Sequence, residues 1–281
     1  MDLLITPFVS NGFLTNALVA GCIVSVACGI VGTFVVLRGL AFIGDALAHG
    51  VLPGIAAAVL LGYPGILGAA LGSVVMIGGI GYLTRRSNLS NDTAIGLFFV
   101  GMLALGVIIV SRSNSFSGDL TRMLFGELLG TTVRDIVVQL AATVVILATA
   151  VVCYRPFLIL CFSAEQADVS GFPSRVYHGI MLAMIALTVV VSFQTVGTML
   201  VFGMLLAPAA TSALFSRKVS TMIVFSAVIG TLSVYLGLLL SYHLGWAAGA
   251  ATTFVATLVF FVAFAVVGLR RRVTKKSGAT A

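Results

Sequence analysis

Charge is what this sequence has least of. Only 8% of its 281 residues are Asp, Glu, Lys or Arg, against about a quarter in a soluble domain. With 60% hydrophobic residues and a mean hydropathy of +1.21, the chain cannot be a soluble globular domain. Lysine is confined to Lys218, Lys275 and Lys276, and no G-x-x-x-x-G-K-[ST] occurs, so there is no P-loop and the chain does not hydrolyse ATP itself. It also lacks the H-E-x-x-H helix motif of a metalloprotease, which argues against an intramembrane enzyme. Cys22, Cys28, Cys153 and Cys161 have no metal-ligand spacing and read as small buried hydrophobes. The Met-Asp start lacks a positive n-region, so no cleaved signal peptide is expected. The net charge of +7 does not make a nucleic-acid binder, because the basic residues are strung along span ends instead of forming a face.

What fills the sequence is apolar. No charged residue occurs from Leu3 to Leu37, Ala46 to Thr84, Val176 to Ser216, or Val219 to Leu269, and a helical crossing takes about 20 residues. The expected fold is all-α and polytopic, with about nine transmembrane helices (eight to nine). The spans read as Gly12–Leu37, Leu40–Leu61, Gly65–Thr84, Ala94–Ser111 with Asp92 as N-cap, Val133–Tyr154, Tyr177–Phe193, Val196–Phe215, Ser220–Tyr242 and Trp246–Gly268. Pro53 and Pro208 are expected to break the second and the seventh. Arg112 to Thr132 reads as a loop that includes a short surface helix. Of the 15 basic residues, twelve fall on one side of this topology. Only Arg112, Arg122 and Arg134 fall on the other, which places the amino terminus outside and the carboxyl terminus in the cytosol.

One acid and one histidine stand deep in this apolar background. Asp45 and His49 are four residues apart in the second span, about 6 Å along a helix and on one face. A carboxylate oxygen and an imidazole nitrogen form a mixed site of borderline hardness, suited to manganese, iron or zinc. Pro53 removes the N–H that the His49 carbonyl would accept, while Gly50 and Gly54 loosen the same turn. Irregular backbone at that depth is tolerated where it lines a cavity, as an ion path would need. The structural alternative is that Asp45 caps the helix or answers Arg38 while His49 packs in the core. An ionisable residue inside a span argues for function.

Among the minor candidates, His243 beside Tyr242 reads as interfacial packing, and His178 as solvated at the cytosolic end of the sixth span. Met199 and Met204, near Pro208, read as core. Between the fifth and sixth spans, Ser163 followed by Gln166 has the spacing of a capping box, Gly171 suits a C′ position and Pro173 stops continuation. A short capped helix outside the membrane, about 163–171 and including Glu165, is therefore expected. Energy coupling through a partner gripping it fits better than a proton relay, for which the spans lack acids and bases.

The run from Leu37 to Gly54, with its D-x-x-x-H-x-x-x-P element, resembles the signature of the membrane permeases of ATP-binding-cassette (ABC) importers for manganese, zinc and iron. The likeness continues in order through Asp92–Gly96, Leu124–Gly130, Ala167–Gly171, Val196–Val201, Pro208–Thr211 and Leu239–Tyr242. It implies a single permease domain over residues 1–281 of the vitamin-B12-importer-like (type II) kind, with a basic cytosolic tail at 270–281, in a bacterial plasma membrane. It implies a second permease copy, in a homodimer, two cytosolic ATPase subunits and an extracytoplasmic metal-binding protein as partners. Mn2+ or Zn2+, or iron, is then the transported substrate, with no permanently bound cofactor. Asp45 and His49 would line the metal path, shaped by Gly50, Pro53, Gly54 and Pro208. Ser163, Glu165, Gln166 and Gly171 would belong to the coupling helix facing the ATPase. The family commonly has an acid after the phenylalanine that opens this segment, and here Phe162 is followed by Ser163. A secondary-active metal carrier or a metal channel would use the same Asp45–His49 pair.

Overall fold

The computed structural model describes residues 7–8, 11–86, 90–111 and 128–277, with only the backbone described at Arg85, Asn91, Gln194, Thr195, Thr198, Met199 and 270–277. All regular elements among them are helical: α1 Gly12–Arg38, α2 Ala41–Gly50, α3 Leu52–Leu60, α4 Gly65–Arg86, α5 Asn91–Ser111, α6 Val133–Val152, α7 Tyr154–Phe162, α8 Ala164–Val169, α9 Ser174–Val196, α10 Thr198–Phe215, α11 Val219–Leu244 and α12 Ala248–Ser277, with a 3₁₀ turn at Leu128–Gly130. Taking α2 and α3 together, eight segments among the described residues are long and apolar enough to cross a membrane, and one further apolar helix, Leu200–Phe215, is shorter. Hydroxyls inside these helices bond their own backbone: Ser25 donates to Gly21 O at 2.7 Å, Thr33 to Gly29 O at 2.8 Å and Ser73 to Ala69 O at 2.9 Å. Such groups are thereby satisfied without water.

α1 is the hub. It packs against α11, α10, α6 and α9, and 72% of its most apolar window is buried against 17% for α5 and for α6, so those two lie at the outside of the bundle. α2–α5 form a second group, joined to the first through α9 and α10. The α1–α2 corner is a Schellman turn: Gly39 has φ 66°, its N–H donates to Val36 O at 3.2 Å, and the Leu40 N–H donates to Val35 O at 3.0 Å. A side chain there would pay for the left-handed conformation.

The second span is interrupted where Pro53 predicted it. α2 ends at Gly50, Val51 intervenes, and α3 starts at Leu52 with the proline in its first turn, a position where a missing N–H costs no intrahelical bond. The His49 carbonyl is not left bare, because the Val51 N–H reaches both it and Leu47 O. Pro208, by contrast, does not break the seventh span. α10 runs through it from Thr198 to Phe215, packed against α1, α11 and α12, and neighbouring helices are one of the means by which a membrane helix keeps a proline. Asp92 is not the N-cap of α5. Ser90 Oγ accepts the Thr93 N–H at 3.2 Å, and Asp92 falls in the first helical turn. Most of the expected surface helix within Arg112–Thr132 lies outside the described residues. The loop leads instead to a reciprocal capping box at α6, where Thr132 N–H donates to Asp135 Oδ2 at 3.0 Å and Thr132 Oγ1 accepts from Asp135 N.

Candidate functional site

Asp45 and His49 lie on one face of α2, with His49 Nε2 3.4 Å from Asp45 Oδ1. Metal–nitrogen and metal–oxygen bonds of about 2.1 Å meeting at a tetrahedral angle separate their ligand atoms by about 3.4 Å. The helix therefore already holds the two atoms at the bite of one ion. The side chains are partly accessible, 35% for Asp45 and 21% for His49. Phe99 of α5 packs edge-on against the imidazole with ring centroids 5.8 Å apart, which fixes the ring plane. His49 Nδ1 is buried without a hydrogen-bond partner. No group of three or more His, Cys, Asp or Glu able to hold a metal occurs among the described residues.

Close backbone packing positions the pair. Gly50 faces Met76, and Gly54 and Gly68 face each other's carbonyls, so that a Cβ at any of the three would fall inside contact distance. α3 and α4 thus meet backbone to backbone. Below them Pro53, Gly54 and Ala57 open onto an apolar crevice of about 620 Å³ reaching Met102 and Leu105 of α5.

The capped helix forms with half of the expected capping box: the Ser163 N–H donates to Ile159 O at 3.0 Å, continuing α7, and the box's return bond from Gln166 is not made. Ser163 is the N-cap of α8, its Oγ accepting the Gln166 N–H at 3.2 Å. Gly171 is C′ with φ 82°, its N–H donating to Asp168 O at 3.1 Å and the Phe172 N–H to Ala167 O at 3.0 Å. Asp168 then clamps the next helix, accepting Ser174 N–H at 2.6 Å and Ser174 Oγ–H at 2.9 Å. The Ser174 backbone and hydroxyl bonds, with Arg175 nearby, hold its carboxyl below the usual carboxylate value. Glu165 and Gln166 are exposed on α8, while Ala167 is buried.

Two features escaped sequence reasoning. One is α7, in which Phe157 is fully buried and meets Phe34 edge-on at 5.2 Å and Tyr177 at 6.5 Å. The Arg155-Pro156 pair was its local signal, since Pro156 sits in the first turn of α7. The other is His178, expected to be solvated. It is partly buried, with Nδ1 3.3 Å from an Arg38 amine. Met204 is buried at 1% exposure, as a core residue should be, and His243 stacks edge-on with Tyr242 at 5.3 Å.

The helical bundle of apolar spans, with an Asp–His pair beside a helix break and a capped helix between spans, is the architecture of a transport permease. The sequence pattern of the ABC 3 transport family matches residues 10–267, and the chain belongs to that family. It is similar to the manganese transport system membrane protein MntC of Listeria innocua, 37% identical over 253 residues and 90% of each chain. It is likewise similar to the chelated iron transport system membrane protein YfeD of Yersinia pestis, 33% identical over 93% of this chain and 88% of that one. Among solved structures, PsaBC from Streptococcus pneumoniae in complex with Fab superposes with a TM-score of 0.83 at 33% identity, covering 93% of this chain and 94% of that one. The chain is thus a multi-pass membrane permease of type II architecture.

Proposed function

We propose that this permease imports a divalent transition metal, manganese first, with zinc and iron as the competing cargoes, through a path lined by Asp45 and His49. The observation that carries this is the 3.4 Å Nε2–Oδ1 pair at a helix break inside an apolar bundle. The manganese and iron transport names of its relatives point the same way. The pair is built to pass an ion on. A metal on Nε2 leaves the proton on Nδ1, a ligating histidine normally donates that proton to an acceptor, and here Nδ1 is buried with none. That omission weakens the hold by about 1–3 kcal/mol, which favours release. A second copy of the chain raises the donor count from two to four, and the apolar crevice beside Pro53 and the exposed Leu67, Leu71 and Val75 offer a face for it.

In this reading the whole chain, 1–281, is one permease domain in a bacterial plasma membrane, with the amino terminus outside and the basic tail at 270–281 inside. The segment 163–171 is the coupling helix, presenting Ser163, Glu165, Gln166 and Gly171 to a separate ATPase, and an extracytoplasmic binding protein delivers the ion. Pro53, Gly50, Gly54 and Pro208 shape the path. The test is radioactive manganese uptake by cells deleted for their own importers and supplied with this chain and its ATPase. Wild type restores uptake, while Asp45→Ala and His49→Ala abolish it at matched membrane levels. Near-normal uptake by either variant removes the pair from the path. Uptake that needs no ATPase and follows the membrane potential establishes the secondary carrier or the channel instead.

A further inference from the structure

At the opposite end of α1 from its first turn, the structure holds a second polar place that the metal path does not use. A cavity of about 220 Å³ lies between the ends of α1 and α4, the α7–α8 segment and the start of α9, and its lining includes Arg38, Arg175 and His178 but no acid. Its volume corresponds to about seven waters of liquid.

Arg38 is the anchor. Its guanidinium donates to Leu160 O and to His178 Nδ1, both neutral acceptors. Among the described residues no carboxylate lies within ion-pair distance of it. Five N–H groups radiate from a guanidinium, so further donors remain. By donating to His178 Nδ1, Arg38 also assigns the imidazole proton to Nε2 and makes that atom a donor. Arg175 adds a second guanidinium from the exposed side, its charge partly offset by the Asp168 carboxylate near it, which also accepts from Ser174 and does not line the cavity. The cavity therefore concentrates positive charge and N–H donors around a half-buried arginine with no counter-ion, an arrangement that favours an anion. It sits where α1 and α4 end and α9 begins, at the rim of the bundle, and basic pockets between spans at that level take phospholipid headgroups.

We propose that this cavity binds a phosphate-bearing anion, tying the ends of α1 and α4 to the segment that leads into α8. The chemistry is shared by the phosphodiester of an anionic phospholipid and by free phosphate, and two arms of one experiment separate the sources. In the first, the full-length chain is reconstituted in nanodiscs of phosphatidylcholine with or without phosphatidylglycerol, and retained lipid is counted by native mass spectrometry. In the second, delipidated protein in detergent is titrated with inorganic phosphate by calorimetry.

Three variants serve both arms. Arg38→Gln removes the anchoring charge. Arg175→Gln removes an exposed charge and leaves the packing intact. Gly81→Leu fills the cavity, because a Cβ at Gly81 meets open space, and touches no hydrogen bond. Each is expected to lower retention or affinity about tenfold, the scale of one charge-assisted bond. Selective retention of phosphatidylglycerol lost in the variants assigns a lipid, and phosphate binding lost in the same variants assigns a soluble anion. Binding in neither arm, or equal binding by wild type and by both Arg175→Gln and Gly81→Leu, overturns the proposal. None of these readouts depends on which metal is carried.

Discussion

Substituting Gly54 by alanine isolates what the backbone-to-backbone contact between α3 and α4 contributes. Alanine is favoured over glycine in a helix by about 1 kcal/mol, so on propensity alone the change should stabilise. At Gly54, however, the new Cβ is driven into the carbonyl of Gly68, and a main-chain atom cannot swing aside as a long side chain would. Overpacking costs about 1–3 kcal/mol, and a rigid obstacle places the cost at the upper end, leaving a net loss of about 2 kcal/mol. Gly96 is the internal control, since it lies in α5 with nothing within 4 Å of its would-be Cβ; there the same substitution should stabilise by up to about 1 kcal/mol. Denaturant unfolding of the two purified variants in detergent, followed by tryptophan-independent far-UV signal, should shift in opposite directions. Separating α3 from α4 also moves the break at Val51 and with it the Asp45–His49 bite, so metal uptake should fall in Gly54→Ala and hold in Gly96→Ala. A Gly54→Ala protein as stable as wild type would refute the argument that this contact sets the helix spacing.

Gly171→Val should loosen the end of α8 by about 1–2 kcal/mol, because φ 82° is a left-handed conformation that a β-branched residue resists; ATP hydrolysis that continues without metal uptake is the expected readout, and intact coupling removes this helix from the transmission path. Pro53→Ala should stabilise by well under the roughly 3 kcal/mol of an interior proline, since Pro53 occupies the first turn of α3, yet it should reduce uptake by offering the His49 carbonyl a regular helical donor. Competitive manganese and zinc uptake checks this, and unchanged rates and preference would confine the proline to folding. The Asp168 clamp on Ser174 should depend on pH: its folded pKa lies below the ordinary 3.8, so its contribution is full above that value and is lost as pH falls through the lower folded value. Hydrogen exchange at the Ser174 amide should accelerate in Asp168→Asn at neutral pH relative to wild type, and equal rates would show that the charge is idle.

Local chemistry made some of this molecule legible from sequence and left other parts dark. The ends of α1 and α8 were readable because a left-handed glycine and a serine N-cap act within a few residues, and the Asp45–His49 face was readable because helical spacing alone aligns the two. Pro53 announced a break and Pro208 did not make one, since what a proline does in a membrane helix depends on the helices packed around it. Phe99 against His49 and Arg38 against His178 join positions 50 and 140 residues apart, and no periodicity encodes such pairings. The helix α7 stayed hidden for a related reason: its nine residues are too few for a span, and only Phe34 and Tyr177 give Phe157 a place to bury.

The central position of α1 has a consequence for how the protein is made. Its glycine face waits for late partners: Gly32 packs on Leu205 and Gly29 on Ala227, and at the ribosome's pace of about 5–20 residues per second those residues appear roughly 10–40 s after the helix itself. During that interval α1 lies against lipid along the face that α10 and α11 will cover, with α6 and α9 as its earlier-made partners. It can do so because Ser25 and Thr33, which end up buried against neighbours, spend their hydroxyl protons on its own carbonyls at Gly21 and Gly29 and ask nothing of a partner. The buried hydroxyls of the first span are thus satisfied within the helix before α10 and α11 exist, and the arrival of those two completes its burial.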